Sequence, residues 1–99
     1  MFLLTLLACA LSEDAFTSRY AEQACDWLTT CADAPPDPDD CLAEQQEGFQ
    51  ALLDRGCLLV AEHFEACLDE RDAATCDDPF GLPVDAIACN SVLDCTEVP

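Results

Sequence analysis

The sequence predicts an all-α fold, a small bundle of three to four helices cross-linked by disulfides. Apolar residues recur every three to four positions in blocks separated by proline- and glycine-containing breaks, and nothing alternates like a strand for more than a few residues. Nine of the 99 residues are cysteine, the density of a disulfide scaffold in a short chain. A chain of this length buries only a marginal hydrophobic core, so covalent cross-links are expected to help hold it.

The first helix runs from Ser12 to Cys31, with Phe16, Tyr20, Ala24, Trp27 or Leu28, and Cys31 on the apolar stripe and Glu13, Asp14, Glu22 and Asp26 outside it. Ser12 is its N-cap, and the acidic first turn suits the positive end of the helix dipole. The aromatic stripe Phe16, Tyr20 and Trp27, lying beside two cysteines, is read as core. Pro35, Pro36 and Pro38 then break the helix. Asp37 followed by Pro38 is a restart, an N-cap with proline at the first helical position. A second helix over 38–55 buries Cys41, Leu42, Phe49, Leu52 and Leu53, and Gly56 stands where a left-handed cap belongs. A third helix near 59–71 turns Val60, Phe64, Cys67 and Leu68 inward. Residues 77–83 form a turn-rich loop, and a last short helix over 84–93 carries Ile87, Val92 and Leu93.

The N-terminus is different in kind. Phe2 to Ala8 is an apolar run that stops at Cys9, too short to span a bilayer as a helix. It reads as a signal segment, with Ala8 at the cleavage position. The stretch Leu6, Leu7, Ala8, Cys9 resembles the bacterial lipobox, which implies cleavage before Cys9 and lipid attachment there. The expected organisation is residues 1–8 as signal peptide, 9–14 as a lipid-anchored linker and 15–99 as a cysteine-rich helical domain. Parity supports this independently, since nine cysteines leave one over. Several acyl chains at Cys9 would anchor the protein stably to a membrane. Ala10, rather than aspartate, follows the cysteine, which points to the outer membrane.

The remaining cysteines, Cys25, Cys31, Cys41, Cys57, Cys67, Cys76, Cys89 and Cys95, allow about 105 pairings. Helix geometry removes some of them. Cys25 and Cys31 are separated by about 9 Å of helical rise, more than the roughly 7 Å a disulfide spans between α-carbons. Cys41 and Cys57 cap opposite ends of the second helix. Cys89 and Cys95 are excluded likewise if the last helix reaches that far. Each bridge should therefore tie one element to another. The gaps from Cys31 to Cys41 and from Cys57 to Cys67 are similar to those of twin C-x9-C helical hairpins, but the three prolines forbid one continuous helix across the first pair.

Charge and residue type exclude much. Twenty-one acidic residues stand against three arginines, Arg19, Arg55 and Arg71, with no lysine and a net charge of -18. Nucleic acid is excluded as a partner, because phosphate binding requires a basic footprint. A protein partner should be cationic or neutral, and the acidic surface keeps the domain soluble. Ser12, Ser18 and Ser91 lie in no nucleophile motif and His63 is the single histidine, so no catalytic set is visible. No zinc pattern exists. His63 and Cys67 share a helix face, but the cysteine is expected in a disulfide. Asp37, Asp39 and Asp40 fail the calcium-loop pattern, with Cys41, Leu42 and Gly48 at required ligand or glycine positions. No cofactor and no metal are expected.

Phe16, Tyr20, Ala21, Cys25, Asp26, Trp27 and Cys31, in that spacing, resemble the opening of a class of short, cysteine-rich bacterial lipoproteins of unknown function. Ala66 to Leu68, Ala74 to Cys76, and Leu82 and Pro83 to Cys89 are similar to its closing half. The resemblance implies export and a helical architecture, with no activity or binding residue attached. The function expected is non-enzymatic: a lipid-anchored protein of the cell envelope, facing the periplasm or exterior, with a structural or protein-interaction role. A freely secreted acidic effector or inhibitor and a weak cation-binding module are the alternatives.

Overall fold

Local signals start and stop the first two helices. In the computed structural model, which describes residues 11–95, α1 spans Glu13–Cys31 and the Ser12 hydroxyl accepts the Ala15 N–H at 3.0 Å. Helix α2 spans Pro38–Asp54, with the Asp37 carboxylate accepting the Asp40 N–H at 3.2 Å and proline at the first position. Its end is a Schellman turn. Gly56 has φ of 103°, its N–H reaches the Leu53 carbonyl, and the Cys57 N–H reaches back to Leu52.

The chain is mostly helical, but its second half departs from the expected pattern. Leu58–Leu59 form a short strand, β1, paired antiparallel with β2, Leu93–Asp94, so that Leu58 faces Asp94 and Leu59 faces Leu93. The third helix therefore begins later than its apolar pattern predicts. A 3-10 turn over Ala61–His63 leads into α3, Phe64–Asp72. Leu59 and Val60 are drawn into extended pairing instead, the Val60 N–H donating to the Val92 carbonyl at 2.7 Å.

The expected helix over 84–93 does not form; residues 84–92 are turns and a 3-10 segment, Cys89–Ser91. Two competing interactions account for this. The Glu70 carboxylate on α3 accepts the N–H groups of Ile87 and Ala88 at 3.1 and 3.0 Å. Residues 93–94 are held extended against β1. The apolar stripe is also incomplete, since Val84 and Ile87 are 89% and 71% exposed while Val92 is buried.

Each α-helix sends one phenylalanine to the centre. Phe16 of α1 stacks on Phe64 of α3 with centroids 4.2 Å apart, and meets Phe49 of α2 edge-on at 5.9 Å. Cys67, Leu68 and Val92 complete this core, with Leu11, Tyr20, Leu59, Ala88, Cys89 and Leu93 packed around it. The signal, the linker start and Cys9 lie outside the described residues.

Candidate functional site

All eight cysteines of the domain are bridged, and every bridge joins separate elements. Cys25–Cys41 links α1 to the first turn of α2, and Cys31–Cys76 links the end of α1 to the loop after α3. Cys57–Cys95 brackets the two strands, and Cys67–Cys89 ties α3 to the last 3-10 segment. None of the geometrically excluded pairs occurs. For Cys89 and Cys95 the helical reason for exclusion does not apply, because that helix is absent. Cys67 is held in its bridge, which removes it as a ligand beside His63; His63 instead lies 3.6 Å from Glu62. Among the described residues no group of three or more histidine, cysteine or acidic side chains is placed to hold a metal, and no helix is long and apolar enough to cross a membrane.

The bridges position a feature that the sequence pattern did not single out. Arg71 sits one and two turns beyond Cys67 and Phe64, in phase with Leu68, and so on the buried face of α3. Its side chain is only 6% exposed. The guanidinium lies over the Tyr20 ring, 3.8 Å from its centroid, and Nε donates to Gln23 Oε1 at 3.2 Å. Gln23 is itself fixed, its amide donating to the Leu68 carbonyl at 3.0 Å and to Asp72 at 2.6 Å. No carboxylate among the described residues comes within ion-pairing distance of Arg71, since Glu62 and His63 form the sole ion pair there. Burial pushes the guanidinium below its ordinary range, and the adjoining Tyr20 side chain opposes that shift. Arginine remains charged under such conditions.

Arg71 forms one wall of a cavity of about 540 Å³. Tyr20, Ala24, Trp27 and Leu28 of α1, Gln45 of α2 and Pro79 line it with Arg71. None of these residues is acidic. A smaller recess of about 280 Å³ shares Trp27 and Arg71 but is lined by Asp26 and Asp72 as well. Tyr20 and Trp27 were expected in the core. They are half-buried instead, and their remaining surface is what lines the cavity.

The loop after α3 contributes Pro79 to the cavity, and three attachments hold it. The Cys31–Cys76 bridge ties it to α1. The Trp27 indole N–H donates to the Thr75 carbonyl at 2.9 Å. Gly81, at φ of 73°, lies so close to the indole that an added Cβ would come within 3.3 Å of Trp27 Cγ. Thr75 is further pinned by Asp78, which accepts its N–H at 2.6 Å. A signal for this site was present in the sequence: one of three cations in an acidic chain falls in phase with the apolar face of its helix.

No protein-family model matches the chain, and no curated protein and no solved structure does either.

Proposed function

We propose that this is an exported, lipid-anchored, non-enzymatic domain of the bacterial cell envelope, acting at the outer membrane through contact with another molecule. One observation carries the proposal: the eight cysteines of the domain are consumed by one another, in bridges that each join separate elements. Such bridges persist in oxidising compartments and are rare in the reducing cytosol. They also leave Cys9 with no partner among the other eight. Cys9 ends the apolar run Phe2 to Ala8, so lipidation accounts for both its place and its parity.

The acidic surface supports a neutral or cationic protein partner over an anionic polymer. The non-enzymatic reading rests on the sequence, in which Ser12, Ser18 and Ser91 lie in no nucleophile motif and His63 is the single histidine. Mass spectrometry of the membrane fraction tests the anchor. The expected mature N-terminus is an acylated Cys9, released only by detergent. Unmodified protein in the culture supernatant would replace this reading with that of a freely secreted effector or inhibitor.

A further inference from the structure

We propose that the cavity beside Arg71 binds a small amphipathic carboxylate, its acid group on the guanidinium and its apolar body against Trp27, Leu28 and Tyr20. The inference stands apart from the lipid anchor and holds equally for a released protein.

The argument begins with the cost of the arginine. Burying an unpaired charge is expensive, and proteins almost always pair such groups or hydrogen-bond them fully. Here 21 acidic residues are available, yet the cation on the apolar face of α3 has no carboxylate partner among the described residues. Its protein contacts are with Tyr20, whose ring it overlies and whose side chain also interacts with it, and one hydrogen bond from Nε to Gln23, none of them with a carboxylate. A guanidinium has five N–H donors, so its η nitrogens keep capacity for the planar, two-oxygen geometry of a carboxylate. Gln23 holds the group in place before any ligand arrives.

The walls define the rest of the ligand. Tyr20, Ala24, Trp27, Leu28 and Pro79 present mainly carbon, and Gln45 offers one amide. A volume of about 540 Å³ falls within the roughly 300–1,000 Å³ of small-molecule sites. A single cation lining the cavity, in a chain of net charge -18, favours a monoanion over a phosphate dianion, which would meet the same field with twice the charge. At physiological ionic strength that field is screened over about 8 Å, so the nearest charge dominates inside the cavity.

Trp27 is the sole tryptophan and lines the site, so its fluorescence reports occupancy. The oxidised protein is titrated with decanoate and 4-phenylbutyrate, and with decanol and 4-phenylbutanamide as uncharged counterparts. At least one acid should give a saturable change, at least tenfold tighter than its neutral counterpart, and the better acid distinguishes alkyl from aromatic sources. Arg71→Met should abolish that preference, and Arg71→Lys should retain part of it. Should Arg71→Met fail to fold, Gln45→Phe serves instead: it fills the cavity from a half-buried position with no side-chain hydrogen bond, and should block binding while all four disulfides still form. Equal binding of acid and neutral probes, acid binding unchanged in either variant, or no binding of either acid at millimolar concentration would overturn the proposal.

Discussion

Residues 13–54 and residues 57–95 hold their shape by different means. The first region is two helices of 19 and 17 residues, each started by its own capping side chain, with one disulfide between them. In the second, the longest helix has nine residues and the strands have two residues each, while two disulfides and the Glu70 carboxylate fasten the pieces. Where helices are long and capped, conformation is set within each segment. In the short pieces it is imposed by contacts between segments distant in sequence. The cavity lies where the two meet, α1 supplying the aromatic wall and α3 the cation.

Removing bridges tests the contrast most severely. Each closed loop constrains the unfolded chain by about 3 to 4 kcal/mol, a large part of the stability of so small a domain. Replacing Cys57, Cys67, Cys89 and Cys95 by serine should therefore unfold residues 57–95 at room temperature. Replacing Cys25 and Cys41 should leave a folded protein with a lowered melting temperature. Circular dichroism and amide hydrogen exchange measure both. If the single α1–α2 bridge proved as costly as the other two together, the contrast would fail.

The next test asks whether the regions are separable at all. Phe16 is fully buried and touches both Phe49 and Phe64. Phe16→Ala should cost about 3–5 kcal/mol, the usual range for deleting a buried aromatic. Because the same ring serves all three helices, exchange protection should fall in both regions together. Protection lost in α1 and α2 alone would show two independent units.

A smaller effect isolates the tertiary clamp. Glu70→Ala strands the Ile87 and Ala88 N–H groups, at about 1.5–3 kcal/mol for hydrogen bonds to a charged group. Exchange at those two amides should rise sharply while α1 and α2 stay protected. Unchanged exchange there would mean that the Cys67–Cys89 bridge alone orders the segment.

The same division explains what was legible beforehand. Ser12, Asp37, Pro38 and Gly56 are signals read within a few residues, and the structure uses each one in its expected role. The expected fourth helix is absent because the apolar residues Ile87, Val92 and Leu93 say nothing of a carboxylate 17 positions upstream that takes the Ile87 N–H. Leu59 reads as the start of a helix, and the pairing of Leu58 and Leu59 with Asp94 and Leu93, next to the Cys57–Cys95 bridge, joins segments that no local pattern brings together. Arg71 is legible in the sequence as a cation in phase with the apolar face of its helix. That it is buried follows from the helical phase set by Phe64 and Cys67, but its lack of an acidic partner depends on how the three helices pack.

The smallest effects belong to the locally determined region and give the sharpest contrast with Glu70. Asp37→Ala removes the side-chain acceptor for the Asp40 N–H and should cost about 1 kcal/mol. Gly56→Ala places a Cβ at φ of 103°, where side chains are disfavoured, at a cost of about 1–2 kcal/mol. Each should lower the melting temperature and increase exchange chiefly at one end of α2, the first near Asp39 and Asp40, the second near Gly56 and Cys57. Neither should alter the Ile87 and Ala88 amides, because the α2 C-terminus reaches that segment only indirectly, through the Cys57–Cys95 bridge and the β1–β2 pairing, and neither of these touches the Glu70 carboxylate. A Gly56→Ala variant that loosened Ile87 and Ala88 as much as Glu70→Ala does would mean that the α2 terminus sets the register of β1, and that the second region depends on local signals after all.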